Sequence, residues 1–200
     1  MNRRDPIVLT LKGLLAWLVL SGLAWYGGTW LGQGLLPLVK VVIMTMTSDI
    51  SPGLTLVPSK SDASIELSAW VLKPIYINDS QFIPPGTELK SSAHLLHNLV
   101  PLVIEGSILL VWPVPRWSQR LILMAFGLLT ATLVITATLP ALLLGQLEIS
   151  FQDVAIAGKN PRLVPWFVDW MVFCELGGRW LLAIAAAWLS IQLQRGLLRD

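Results

Sequence analysis

The sequence predicts a membrane all-α bundle of four transmembrane helices, with a small external antiparallel β-region between helices 1 and 2. Three observations carry this. Charged residues are only 13% of the 200 residues, where an ordinary soluble domain has about 25%. Four stretches reach the ~20 mostly apolar residues that a membrane-spanning helix needs: residues 7–36, 95–114, 121–144 and 164–193. Between the first two lies a segment of short alternating runs and turn residues. The chain therefore divides into residues 1–46 (helix 1 and an interfacial segment), 47–92 (the external β-rich region) and 93–200 (helices 2–4, with an external loop at 145–163). Mean hydropathy is +0.68 and net charge +2, which excludes a disordered chain and a basic nucleic-acid binder.

The first stretch is interrupted only by Lys12, Gln33 and small polar residues. Arg3 and Arg4 before it give it the look of a secretory signal. The Ser21-Gly22-Leu23-Ala24 run is a poor cleavage site, and the apolar run continues through Trp30, so an uncleaved helix is expected. Pro37 should break or kink it. The apolar run that follows, residues 35–46 with Lys40 as its one charge, could lie flat as an interfacial helix.

The external region starts with a turn signal, Ser51-Pro52-Gly53. Strands are expected at 54–57, 64–71 and 75–77, with Ser59-Lys60-Ser61-Asp62 as a hairpin turn. Asn78-Asp79-Ser80 and Pro84-Pro85-Gly86 punctuate the remainder. A sheet of about 40 residues has too little core to stand alone. It should pack on the bundle or on a partner.

Helix 2 carries Glu105, helix 3 has no charge, and helix 4 holds Asp169, Glu175 and Arg179. Lys and Arg set the expected orientation. Arg3, Arg4 and Lys12, then Arg116 and Arg120, then Arg195 and Arg199 mark three sites on one side, the cytoplasm. Residues 47–92 hold three lysines against five acids and suit the outside. Lys159 and Arg162 in the external loop run mildly against this, offset by Glu148 and Asp153.

Several groups are candidate sites. Glu175 and Arg179 are four apart and so share one helix face. They read as an internal salt bridge, or as a polar site or partner contact, with Glu105 as the third member. His94 and His97 are three apart, a spacing a metal can use on a helix; the plainer reading is polar residues at a helix end. Cys174, next to Glu175 and before Arg179, is a candidate nucleophile or a buried inert thiol. As the sole cysteine it excludes an intramolecular disulfide or a Cys-rich metal site. Gly28 and Gly32, and Gly177 and Gly178, would allow close helix approach. No cofactor is expected. The ten tryptophans suit the interfacial belts of a membrane protein.

The order of parts is also informative. A first helix leads to a strand region ending at Leu72-Lys73-Pro74-Ile75-Tyr76, and a second span opens with Asn98-Leu99-Val100-Pro101-Leu102. A tight basic turn, an uncharged span, an external loop and a Trp-rich span follow. This order resembles the exosortase-associated small multi-span membrane proteins, which accompany a bacterial sorting transpeptidase. The resemblance implies an accessory role and carries over no catalytic residue. Exosortases themselves place a key cysteine in a Cys-Ser-Gly-like context; Phe173-Cys174-Glu175-Leu176-Gly177-Gly178-Arg179 departs from it.

The expected function is therefore non-enzymatic: a bacterial inner-membrane accessory or structural subunit with both termini cytoplasmic. Its expected partners are the lipid bilayer and another integral membrane protein, as a hetero-oligomer, with no nucleic acid. The alternatives are a membrane-embedded cysteine peptidase or transpeptidase using Cys174, and a small transporter.

Overall fold

The computed structural model describes residues 6–58, 63–78, 81–160 and 162–198. The chain is mostly helical. Helix α1 runs Pro6–Met46, followed by strands β1 Ile50–Pro58, β2 Ala63–Val71, β3 Ile75–Tyr76, β4 Phe82–Ile83 and β5 Glu88–His94. Helices α2 Leu95–Val111, α3 Trp117–Ala157, α4 Trp166–Phe173 and α5 Arg179–Leu197 complete it, with a π-helical turn, Cys174–Gly178, between the last two. Three helical stretches are long and apolar enough to cross a membrane: Ile7–Met46, Trp117–Ala157 and Trp166–Leu197.

Four expectations are corrected. The first helix does not stop at Pro37 but continues to Met46. A proline loses one backbone hydrogen bond in a helix interior, and flanking apolar packing here outweighs that loss: Val39 and Ile43 are fully buried. The expected loop at 145–163 is instead helical as far as Ala157. Leu143, Leu147 and Ala155 are buried at helical spacing, so packing overrides the scattered polar residues. The second helix is only 17 residues, about 25 Å long, and falls short of the ~30 Å hydrocarbon layer. The fourth stretch is not one α-helix. Gly177 has φ 111° inside the π turn, a conformation open to glycine and strained for other residues.

Helices α1 and α3 are each 41 residues, about 60 Å long and twice the hydrocarbon thickness. The contacts divide the chain into two compact units, residues 29–98 with 136–176, and residues 1–28 with 99–135 and 177–200.

The unit of residues 29–98 and 136–176 contains the sheet. Its order is β1-β2-β5, all antiparallel, and β3 pairs with β4 apart from it. Central β2 alternates strictly, burying Ala63, Ile65, Leu67, Ala69 and Val71. The expected turn at Ser51-Pro52-Gly53 is part of β1, opposite Trp70, Ala69 and Ser68. Pro52 is tolerated because β1 is an edge strand. The hairpin turn expected at 59–62 lies outside the described residues, as do Asp79 and Ser80; Pro58 pairs with Ala63 on either side of the former. Pro84-Pro85-Gly86-Thr87 forms a turn with Gly86 at φ 81° and a Thr87 N–H to Pro84 carbonyl bond of 3.3 Å, as a type II turn requires. Across β2 and β5 the Ser68 hydroxyl donates to Glu88 at 2.5 Å and holds that carboxyl below its usual range, helped by Lys90 at 3.5 Å. The helices of this unit meet the sheet and each other closely. A side chain on Gly32 would run into Leu95 and Leu56, and one on Gly145 into Met171. Ser91 donates to Gln146 at 2.8 Å, and the Trp170 indole to the Ala137 carbonyl at 2.9 Å.

In the other unit the core is Leu109, Leu123, Ala187 and Ile191, from α2, α3 and α5, with Ile108, Trp112, Val114 and Met124 around it. Gly106 faces Leu20 of α1, and Gly127 faces Leu109. Gln194 donates to the Gln119 carbonyl at 2.5 Å.

Candidate functional site

Each unit holds a polar centre anchored on a buried acid. In the unit of residues 1–28, 99–135 and 177–200 the acid is Glu105, midway along α2 and only 1% exposed. Thr130 of α3 and Ser190 of α5, both buried, converge on it. The Thr130 hydroxyl donates to Glu105 Oε1, and Ser190 Oγ lies 3.2 Å from the same oxygen. The two hydroxyls are 2.7 Å apart. Glu105 Oε2 is buried without a hydrogen-bond partner among the described residues. The three helices thus share a polar triad inside an apolar core. Sequence spacing could not reveal it, because its members come from three helices.

In the unit of residues 29–98 and 136–176 the acid is Glu148 of α3, 5% exposed. Arg162 approaches it with Nε 3.2 Å from Oε1 and Nη2 3.4 Å from Oε2, the bidentate geometry a guanidinium favours. Arg162 Nη1 donates to the Tyr76 carbonyl at 2.6 Å, at the end of β3. Its guanidinium also lies 5.6 Å from the centre of the Phe151 ring, within cation–π range. Gln152 donates to Glu148 Oε1 at 3.1 Å. The group ties the β3–β4 hairpin and the α3–α4 connection to α3. It borders a cavity of about 200 Å³ lined also by Met46, Asp49, Leu144 and Phe167. At the sequence level these two residues were merely an offset charge pair.

The residues singled out from sequence lie in several elements. Glu175 lies in the π turn, 3.8 Å from His97 Nε2, and Arg179 is buried where α5 begins. The continuous helix face expected to join Glu175 to Arg179 is interrupted at Gly177. Glu105 is held by the hydroxyls of Thr130 and Ser190. His94 ends β5 opposite Ser64, and His97 sits in the first turn of α2, so the two imidazoles do not share a helix face. Among the described residues no group of three or more His, Cys, Asp or Glu side chains is placed to hold a metal. Cys174 is buried in the π turn. Gly28, Gly32 and Gly178 are buried in helical segments, and Gly177 supplies the backbone break.

Comparison of the chain with protein-family models, with curated proteins and with solved structures gives no match.

Proposed function

We propose that this chain is a non-enzymatic accessory subunit of the bacterial inner membrane that binds another integral membrane protein. It crosses the bilayer four times, with both termini and the α2–α3 turn in the cytoplasm and the sheet outside. α2, too short to cross unaided, spans within the bundle. The partner belongs to an envelope-assembly or protein-sorting system, the class suggested by the order of parts.

One observation carries the partner. A spanning segment of α1 that begins near Lys12 reaches the far side of a ~30 Å hydrocarbon layer about 20 residues on, near Gly32. The aromatic residues Trp25, Tyr26 and Trp30 stand near that boundary, where such rings prefer to lie. The helix then continues for four more turns and stays apolar. Val39 and Ile43 of this extension are buried, while Leu38, Val41 and Met44 are 47%, 59% and 57% exposed. Tilt does not bring the whole helix into the membrane, because about 60 Å fits ~30 Å only at some 60°, against an average near 20°. The stripe formed by these three residues is therefore offered to a protein surface.

Cysteines placed at Val41 and Met44, in a Cys174→Ala background, test this in intact cells. A membrane-impermeant thiol reagent should label them at least about tenfold more slowly than a cysteine at exposed Lys73, and cross-linking from them should give one discrete protein adduct. Labelling as fast as at residue 73, with no adduct, contradicts the reading. Reporter fusions at Asp62 and Ser118 test the orientation; a cytoplasmic signal at Asp62 overturns it.

A further inference from the structure

The N-terminal half of α1 and the end of α2 enclose a groove of about 650 Å³ whose charged lining, among the described residues, is Lys12 and Arg120. Its other lining is aliphatic, including Val8, Leu15, Val19, Leu110 and Val114. Among the described residues no acid lines it and Lys12 forms no ion pair. Arg120 is positioned from one side: its Nη1 donates to the Leu109 and Leu110 carbonyls, at 3.2 and 2.5 Å, which α2 leaves open at its C-terminus. Its Nε and Nη2 make no hydrogen bond to a described residue. A second groove of about 600 Å³ adjoins the first and shares Leu9, Val111 and Pro113 with it. No charged residue is among its described lining, which includes Trp17, Ile104 and Ile108.

We propose that these grooves are a binding site for one anionic phospholipid, its phosphate held by Lys12 and Arg120 and an acyl chain lying in the apolar groove. Two features select a lipid over a free anion. The cations are set among aliphatic side chains that a small hydrated ion would leave uncovered, and the uncharged groove opens beside them. Two cations, with no acid among the described lining residues, select a net negative headgroup over a zwitterionic one, since basic pockets between membrane helices attract anionic headgroups. Lys12 lies less than two turns into α1, so its ammonium reaches the headgroup level while its stem stays among apolar neighbours.

The site rests on the membrane-spanning reading, which fails separately if alkaline carbonate extracts the chain from membranes. The test uses the full purified chain, delipidated in mild detergent and titrated with phosphatidylglycerol or phosphatidylcholine, with retained lipid read by native mass spectrometry. Phosphatidylglycerol should be retained in preference. Lys12→Gln should weaken its retention about fivefold, the effect expected for one basic residue at a headgroup, and Lys12→Glu should weaken it further. Lys40→Gln, which removes the same charge elsewhere on α1, should leave it unchanged. Because Arg120 also caps α2, Lys12 is the decisive position, with helix content by circular dichroism as the folding control. Equal retention of both lipids, equal loss in Lys40→Gln, or displacement of phosphatidylglycerol by inorganic phosphate would overturn the proposal.

Discussion

Glu105 and Glu148 are both acids on largely apolar helices, and both are nearly removed from solvent, yet their surroundings differ in kind. Glu148 meets a guanidinium in bidentate geometry and an amide, and the guanidinium goes on to a backbone carbonyl and an aromatic face. Glu105 meets two hydroxyls on one oxygen and no hydrogen-bond donor on the other among the described residues. The first is a charge-compensated knot that joins loop, hairpin and helix. The second is a polar contact that sets three helices against one another with no cation among the described residues. A carboxylate in a low-dielectric core is tolerated when its charge is paired and its oxygens are satisfied. Only the Glu148 centre meets both conditions.

The largest expected effect breaks the compensated centre. Arg162→Ala strands Glu148 and frees the Tyr76 carbonyl, and should lower unfolding free energy by about 3–5 kcal/mol in a denaturant titration in mild detergent. A loss below about 1 kcal/mol would place Arg162 among ordinary surface charges and erase the contrast.

A smaller effect separates the observed break from the continuous helix that sequence spacing implied. Gly177→Ala places a side chain at φ 111° and should cost about 1–3 kcal/mol, although nothing lies within 4 Å of the new Cβ. Gly178, at φ −54°, has no such backbone demand. Were Glu175 and Arg179 on one unbroken helix, Gly177→Ala would be neutral or stabilising by the ordinary gain in helix propensity.

The smallest effect concerns the hydroxyls. Ser190→Ala should cost about 1 kcal/mol, the net worth of a typical hydrogen bond. Thr130 stays in place to donate to Glu105. A loss as large as that of Arg162→Ala would mean that the triad is as tightly coupled as the ion pair.

Much of the fold was legible because burial in long elements leaves a periodic trace. The apolar helices and the alternation of β2 are plain in the residues. β5 was not, because Glu88-Leu89-Lys90-Ser91-Ser92-Ala93-His94 has few β-forming residues and becomes a strand by pairing with β2. Pro37 and Ser51-Pro52-Gly53 misled for a related reason: local signals were overridden by packing and by an edge position. The polar centres were the least legible. Glu105 stood out as a lone acid in an apolar run, but Thr130 and Ser190 lie 25 and 85 residues away in the chain. Arg162 and Glu148 are 14 apart across what reads as a loop. Only the continuation of α3 to Ala157 gives them a common site.

The contrast between the two carboxyls is tested most directly by one substitution made at both. Glutamine keeps the shape and an accepting oxygen but removes the charge. Glu148→Gln leaves the Arg162 guanidinium without its counter-charge and should lose about 2–3 kcal/mol of unfolding free energy in detergent. Glu105→Gln removes an ionisable group with no cation against it among the described residues, while an oxygen remains to accept from Thr130 and Ser190, so its loss should stay below about 1 kcal/mol. Equal losses at the two positions, or the larger loss at Glu105, would contradict the account.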